Sequence, residues 1–347
     1  MTKHGTWYRK NIKYKEKEMK KILPVLTVLL LVGSLLFAGG SKEKPAEAKK
    51  FTLRVGHTLT DDSHYGVGLA KLAELAKQKS NGTIEIQAFG NSKLGNERDL
   101  IEGVSLGTVE MCLTSTGPLP NFSKAFMVFD LPFIVQDRNK FYPILDGETG
   151  QKMLEALGAK GIKGIVFFEN GFRHITNSKR PINVPDDLKG LKIRLMENPV
   201  HLETFRVLGA NPSPMAFGEL FTALQQKVMD GQENPLLIIK TSKFYEVQKY
   251  LALTGHFYSP AVLMINEKLY KSMSPDQQKA FQSAAAEARD FERNFIIENE
   301  KKLVDELKSL GMEVTTPDKA VFQKAAAPVY TKFEADIGKE LIQKVRG

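Results

Sequence analysis

Two arginines on short extended segments offer the most chemistry in this chain. Arg194 lies in the run Lys192-Ile193-Arg194-Leu195, whose alternation puts Lys192 and Arg194 on one strand face and Ile193 and Leu195 on the other. A planar guanidinium at the C-terminal end of such a strand suits a carboxylate held by two parallel hydrogen bonds. Pattern alone leaves Arg194 open between that role and a surface salt bridge, and Arg173 is open in the same way. Other constellations carry less. Gly103-Val-Ser105-Leu-Gly107 matches the serine-hydrolase elbow, but here a helical pattern precedes the serine and a strand pattern follows, the reverse of what that strained turn requires. Gly66-Val-Gly68 lacks the third glycine of a dinucleotide loop, and no Walker lysine pattern occurs. No two of the six histidines stand at HxH or HxxxH spacing, so no metal site is expected. His57 and His64 flank the first strand–helix loop, where His57 is a candidate ligand contact, with placement on the surface the other reading. Cys112 is alone, which excludes an internal disulfide, a thiolate zinc site and a CxxC redox pair. No cofactor is expected.

The elements that must position these groups alternate between strand and helix periods. Residues 51–56, 84–89 and 109–114 read as strands, separated by helices over 63–79 and 96–106. This βαβαβ run implies a mainly parallel sheet with its ligand edge at the strands' C-terminal ends. Helical stretches near 137–145 and 149–158 follow, then a strand over 163–168. A second α/β unit begins near Arg173: extended at 173–176, a turn over 181–188, strand 192–195, a helix capped by Asn198 with Pro199 in its first turn, strand 211–216, helix 218–226 and a loop over 230–234. Two similar lobes make a cleft between them. Ser274, Pro275 and Gln277 then open a helix that runs to Leu310, about 54 Å at ~1.5 Å per residue, long enough to brace both lobes.

The chain of 347 residues has room for two domains, and 42% apolar with 26% charged residues is ordinary globular usage. Of the net charge of +9, +6 sits in residues 1–21, which hold eight basic side chains against two acidic ones. The remainder is nearly neutral, so no nucleic-acid partner is expected. From Met19 the sequence shows two lysines, an apolar run from Ile22 to Phe37, and small residues Ala38 to Gly40, the three parts of a secretory signal peptide. Residues 1–40 are read as that signal, with 1–18 an overcalled extension, and 41–50 as a flexible leader. A periplasmic protein, not inserted in the membrane after cleavage, follows from this reading.

The stretch from Gly190 to Leu251 carries four ordered blocks, "LKGLKIR" with its last five residues in the stretch, "PMAFGELFTALQQ", "DGQENP" and "KFYEVQKYL". In these it resembles the DctP-type solute receptors of TRAP transporters, and weaker blocks ("NSKLGNERDLIEGVSLGTVEM", "FDLPFI", "GFRHITNSKRPI") extend the likeness over nearly all of the chain after Lys50. The resemblance implies a two-lobed periplasmic-binding-protein fold of the α/β class, with a hinge and a long bracing helix. Lobe 1 would span 51–172, lobe 2 173–260, and 261–347 both. It implies capture of a small organic acid, delivery to large and small membrane permease subunits, and no covalent chemistry. The carboxylate clamp falls on Arg194, a second cation on Arg173, an amide on Asn234 and an apolar wall on Phe217. The sialic-acid branch has an acid and an arginine after the third strand. This chain has Thr114-Ser115-Thr116-Gly117 there, with Ser115 at the cleft edge. Glu197 and Glu97 are expected to accept hydrogen bonds from ligand hydroxyls, favouring a uronate or aldonate over a C4-dicarboxylate or keto acid, although Glu197 is also open to a role in a surface ion pair. A secreted hydrolase and a periplasmic sensor module are the alternatives of other classes.

Overall fold

Strand β1 (Phe51–Gly56) buries Phe51, Leu53 and Val55 and exposes Thr52, the alternation of a strand covered on one face. Helix α1 (His64–Lys79) starts where Ser63 accepts the Gly66 N–H, and it buries Leu69, Leu72 and Leu75 at helical spacing before strand β2 (Ile84–Phe89). Helix α2 (Glu97–Leu106) is opened by a capping box of Asn96 and Asp99, and Gly107 in the left-handed region stops it ahead of β3 (Met111–Ser115). The computed structural model describes residues 49–346, so the signal segment and residues 41–48 of the leader lie outside the described residues. From Lys49 onward the chain is one compact unit.

Helices α3 (Arg138–Asp146) and α4 (Glu148–Ala156) lead to β4 (Ile162–Asn177). Then come β5 (Lys192–Leu195), α5 (Pro199–Val207), β6 (Asn211–Pro214), α6 (Phe217–Gln225), β7 (Gly231–Pro235), α7 (Leu236–Thr241), β8 (Tyr250–Asn266) and α8 (Glu267–Lys271). The chain ends through α9 (Pro275–Ser309), β9 (Glu313–Thr315), α10 (Lys319–Ala326), α11 (Pro328–Ile337) and α12 (Lys339–Arg346). The strand order is β2-β1-β3-β8-β4-β7-β5-β6, with β9 beside β8.

This sheet corrects three expectations. The three strands of the βαβαβ run pair in parallel as expected, but the sheet as a whole is mixed, because β4 and β8 run antiparallel to each other, and β8 to β3 and β4 to β7 as well. The two extended pieces expected at 163–168 and 173–176 are one strand, in which the "ENG" segment makes bulges rather than a break: the register shifts between Glu169 and Gly171 and between Arg173 and Ile175. Gly171 has φ +122°, a conformation that suits glycine. The expected loop at 230–234 is β7, paired with β4 and β5.

The long strands join two halves. The first part of β4 pairs with the end of β8, which in turn pairs with β3; the second part of β4 pairs with β7 and with the start of β8. Helix α9 has the caps that the sequence predicts, Ser274 and Gln277. It contacts α1 beside the first half and α7 and β9 beside the second, with β4 between. Arg293 of α9 reaches Asp146 of α3 at 2.7 Å, and Glu300 accepts from Arg138 at 2.6 Å. Helix α11 likewise contacts α5 on one side and the segment Lys124–Asp130 on the other.

Candidate functional site

Strands β3 and β5, separated in the sheet by β8, β4 and β7 and running in opposite directions, both end at one cavity beside the bulged middle of β4. Ser115 closes β3, Arg194 sits near the end of β5, and Arg173 and Asn234 come from the paired strands β4 and β7. Glu97 and Phe217 are the first residues of α2 and α6. These six line one cavity together with Thr58, Leu59, Tyr65, Asn170, Met196 and Ile238. Its free volume is about 20 Å³, room for roughly one water, so the cleft is shut.

Arg173 is fully buried and already partnered. Its Nε and one Nη engage both carboxylate oxygens of Glu233, the same Nη donates to the Asn234 side-chain oxygen at 3.2 Å, and the other Nη has no partner. Burial alone would raise the Glu233 pKa, but the Arg173 charge and hydrogen bonds from His256 and Arg173 hold it well below the usual carboxylate range. Arg194 differs. It is 2% exposed, its Nε donates to the Met215 carbonyl at 2.8 Å, and one Nη has no hydrogen-bond partner. The Phe217 ring lies 5.9 Å from its guanidinium carbon. Among the described residues no carboxylate forms an ion pair with it. Burial lowers its pKa to about 10, opposed by the charges of Glu233 and Glu97 acting at a distance. A buried cation without a direct counter-ion carries a desolvation penalty of several kcal/mol, which an arriving carboxylate relieves.

Glu97 accepts the Ser115 N–H at 2.6 Å and its hydroxyl at 2.8 Å, and burial raises its pKa against those two hydrogen bonds. The cavity thus pairs cationic donors with one carboxylate acceptor. Two expected contacts are corrected. His57 is fully buried but does not line the cavity; it packs edge-on to Tyr65, and burial lowers its pKa to about 4. Glu197 does not offer a free carboxylate to the cavity, because it pairs with Arg98 at 3.0 Å at the rim. Tyr65, Asn170 and Met196 were not foreseen. Asn170 stands in the "ENGFR" block next to Arg173, a signal that the sequence contained, whereas nothing local marks Tyr65 or Met196.

Contacts across the mouth join the first half of the molecule to the second. Besides Arg98–Glu197, the Gly218 N–H donates to Asn96 Oδ1 at 3.1 Å, and Asn198 Nδ2 donates to the Gly117 carbonyl at 2.8 Å and to Asp130 at 2.6 Å. Among the described residues no cluster of His, Cys, Asp or Glu is placed to hold a metal ion, and no helix is long and apolar enough to cross a membrane.

The family model of bacterial extracellular solute-binding proteins, family 7 (DctP), matches residues 55–336. The chain belongs to the DctP family. A relative called a solute-binding protein, from Verminephrobacter eiseniae, is 42% identical over 300 residues, covering 86% of this chain and 90% of its own. A TRAP periplasmic solute-binding protein from Polaromonas sp. JS666, solved with D-erythronate, is similar with a TM-score of 0.84 and 43% identity, over 86% of this chain and 99% of that one. The sugar acid binding protein DctPAm from Advenella mimigardefordensis, solved with galactonate, has a TM-score of 0.84 and 39% identity over 86% and 98% of the two chains. This DctP-family member therefore has the two-lobed α/β fold of TRAP solute receptors, a class of binding proteins rather than enzymes.

Proposed function

We propose that this receptor works in the periplasm, captures a small polyhydroxy monocarboxylate of the aldonate or uronate type, and hands it unchanged to the membrane subunits of a TRAP transporter. The observation that carries this reading is Arg194, a guanidinium buried in the cavity with, among the described residues, an unpartnered Nη and no ion pair. The ligand carboxylate takes that Nη, Arg173 and Asn234 line the far side, and Phe217 supplies the apolar wall. Glu97 accepts from ligand hydroxyls and repels a second carboxylate, which disfavours a C4-dicarboxylate. With Glu197 engaged by Arg98, that acceptor role rests on Glu97. The erythronate and galactonate held by the two relatives are acids of this kind.

Entry requires the halves to part, since the shut cavity has no room for such an acid. The lobes are taken as 51–172 and 173–260, with 261–347 serving both, and the bulges of β4 at Glu169–Arg173 as the hinge. A thermal-shift screen over aldonates, uronates, C4-dicarboxylates and keto acids tests the reading. A ligand at 100 times its Kd adds about 2.7 kcal/mol of stability, so a clear rise in Tm with aldonates or uronates is expected. A rise with dicarboxylates alone would contradict it, and so would chemical turnover of the bound acid.

A further inference from the structure

Beside the cavity at Arg173 lies a second, of about 30 Å³, reaching the rim at Asn96, Arg98 and Glu197. Four residues line both: Glu97, Arg194, Met196 and Phe217. Met196 follows β5, on the Arg194 side of the cleft, and its side chain crosses to the other side. The Ser115 hydroxyl stands 3.3 Å from its Sδ. A β-carbon on Gly117 would lie 2.5 Å from its Cε and 2.7 Å from its Sδ, so the thioether occupies the space that only a glycine leaves free. Met196 is 6% exposed.

Building on the sugar-acid reading, we propose that Met196, seated on Gly117, is the residue that sets how long an acid the receptor accepts. Arg194 faces both cavities. When the halves close less tightly around a solute, an acid of about four carbons held on Arg194 stays on the inner side of Met196. A six-carbon acid must extend into the outer cavity and displace the thioether, losing its contacts with Ser115 and Gly117. The partition is assembled from both sides of the cleft, so it measures the ligand only on closure.

Isothermal titration of D-erythronate and galactonate into the full receptor tests this. Wild type is expected to bind the four-carbon acid more tightly. Met196→Ala is expected to shift the ratio of the two Kd values at least tenfold towards the six-carbon acid. Gly117→Ala pushes the thioether into the cavities and weakens both acids, the longer one more, and adding Met196→Ala to it restores binding. Met196→Val serves the same comparison if the alanine variant is unstable. An unchanged ratio in a variant that binds both acids overturns the role of Met196 alone, as does a wild type that prefers the longer acid. A wild type that binds neither overturns the sugar-acid reading and this proposal with it.

Discussion

Arg173 and Arg194 share one cavity but spend their donors differently. Each keeps one Nη without a partner, but Arg173 is neutralised in place by Glu233, whereas Arg194 has no ion pair among the described residues and keeps an unbalanced charge for the solute. Glu97 is the third charged group in the cavity, and both its oxygens are steadied by Ser115. Its charge is the feature that separates one carboxylate from two. Glu97→Gln is expected to raise the affinity for succinate relative to erythronate at least tenfold, read by competition titration. An unchanged ratio would remove Glu97 from the selectivity argument. Ser105 of the Gly103–Gly107 motif sits inside α2 with its hydroxyl donating to the Lys160 carbonyl at 2.6 Å, away from the cavity.

At the scale of elements, β4 links the site to the brace. Glu169, at its bulge, is hydrogen-bonded by Tyr142 and lies 3.3 Å from Arg138, both on α3, while its N–H donates to Glu292 of α9 at 3.1 Å. Burial raises its pKa to about 7, against the charge of Arg138 and the Tyr142 hydrogen bond. The folded value therefore exceeds the unfolded one of about 4.3. The stability tied to this proton is complete below about pH 4.3 and is lost as pH rises through about 7. The Tm of Glu169→Gln minus that of wild type is accordingly expected to grow from pH 5 to pH 8, and a constant difference would contradict the assignment. Most helices and the short strands were legible because caps and periodicity are local signals. Strand β8 was not, since its residues are buried almost throughout and show no alternation. Residue-level misses have the same cause. The partner that draws Glu197 away, Arg98, is 99 positions distant, and a loop position cannot tell which way His57 faces.

For the whole molecule, the shut cleft is held by few bonds between its two sides. Arg98–Glu197 is partly exposed, with 52% and 38% of the two side chains open to solvent, so water and salt screen it and its contribution is small. Glu197→Ala is expected to speed ligand release by up to about fivefold and leave association nearly unchanged, as stopped-flow measurements would show. A larger effect on association than on release would place Glu197 in capture rather than in closure.

The central claim is that Arg194 grips the anion. Calorimetric titration of Arg194→Ala with the acid that wild type binds measures it directly. A charged hydrogen bond at roughly 1.5–3 kcal/mol is removed, so affinity is expected to fall at least tenfold to a hundredfold while the ligand-free protein stays folded. A variant that binds the acid as tightly as wild type would contradict the account.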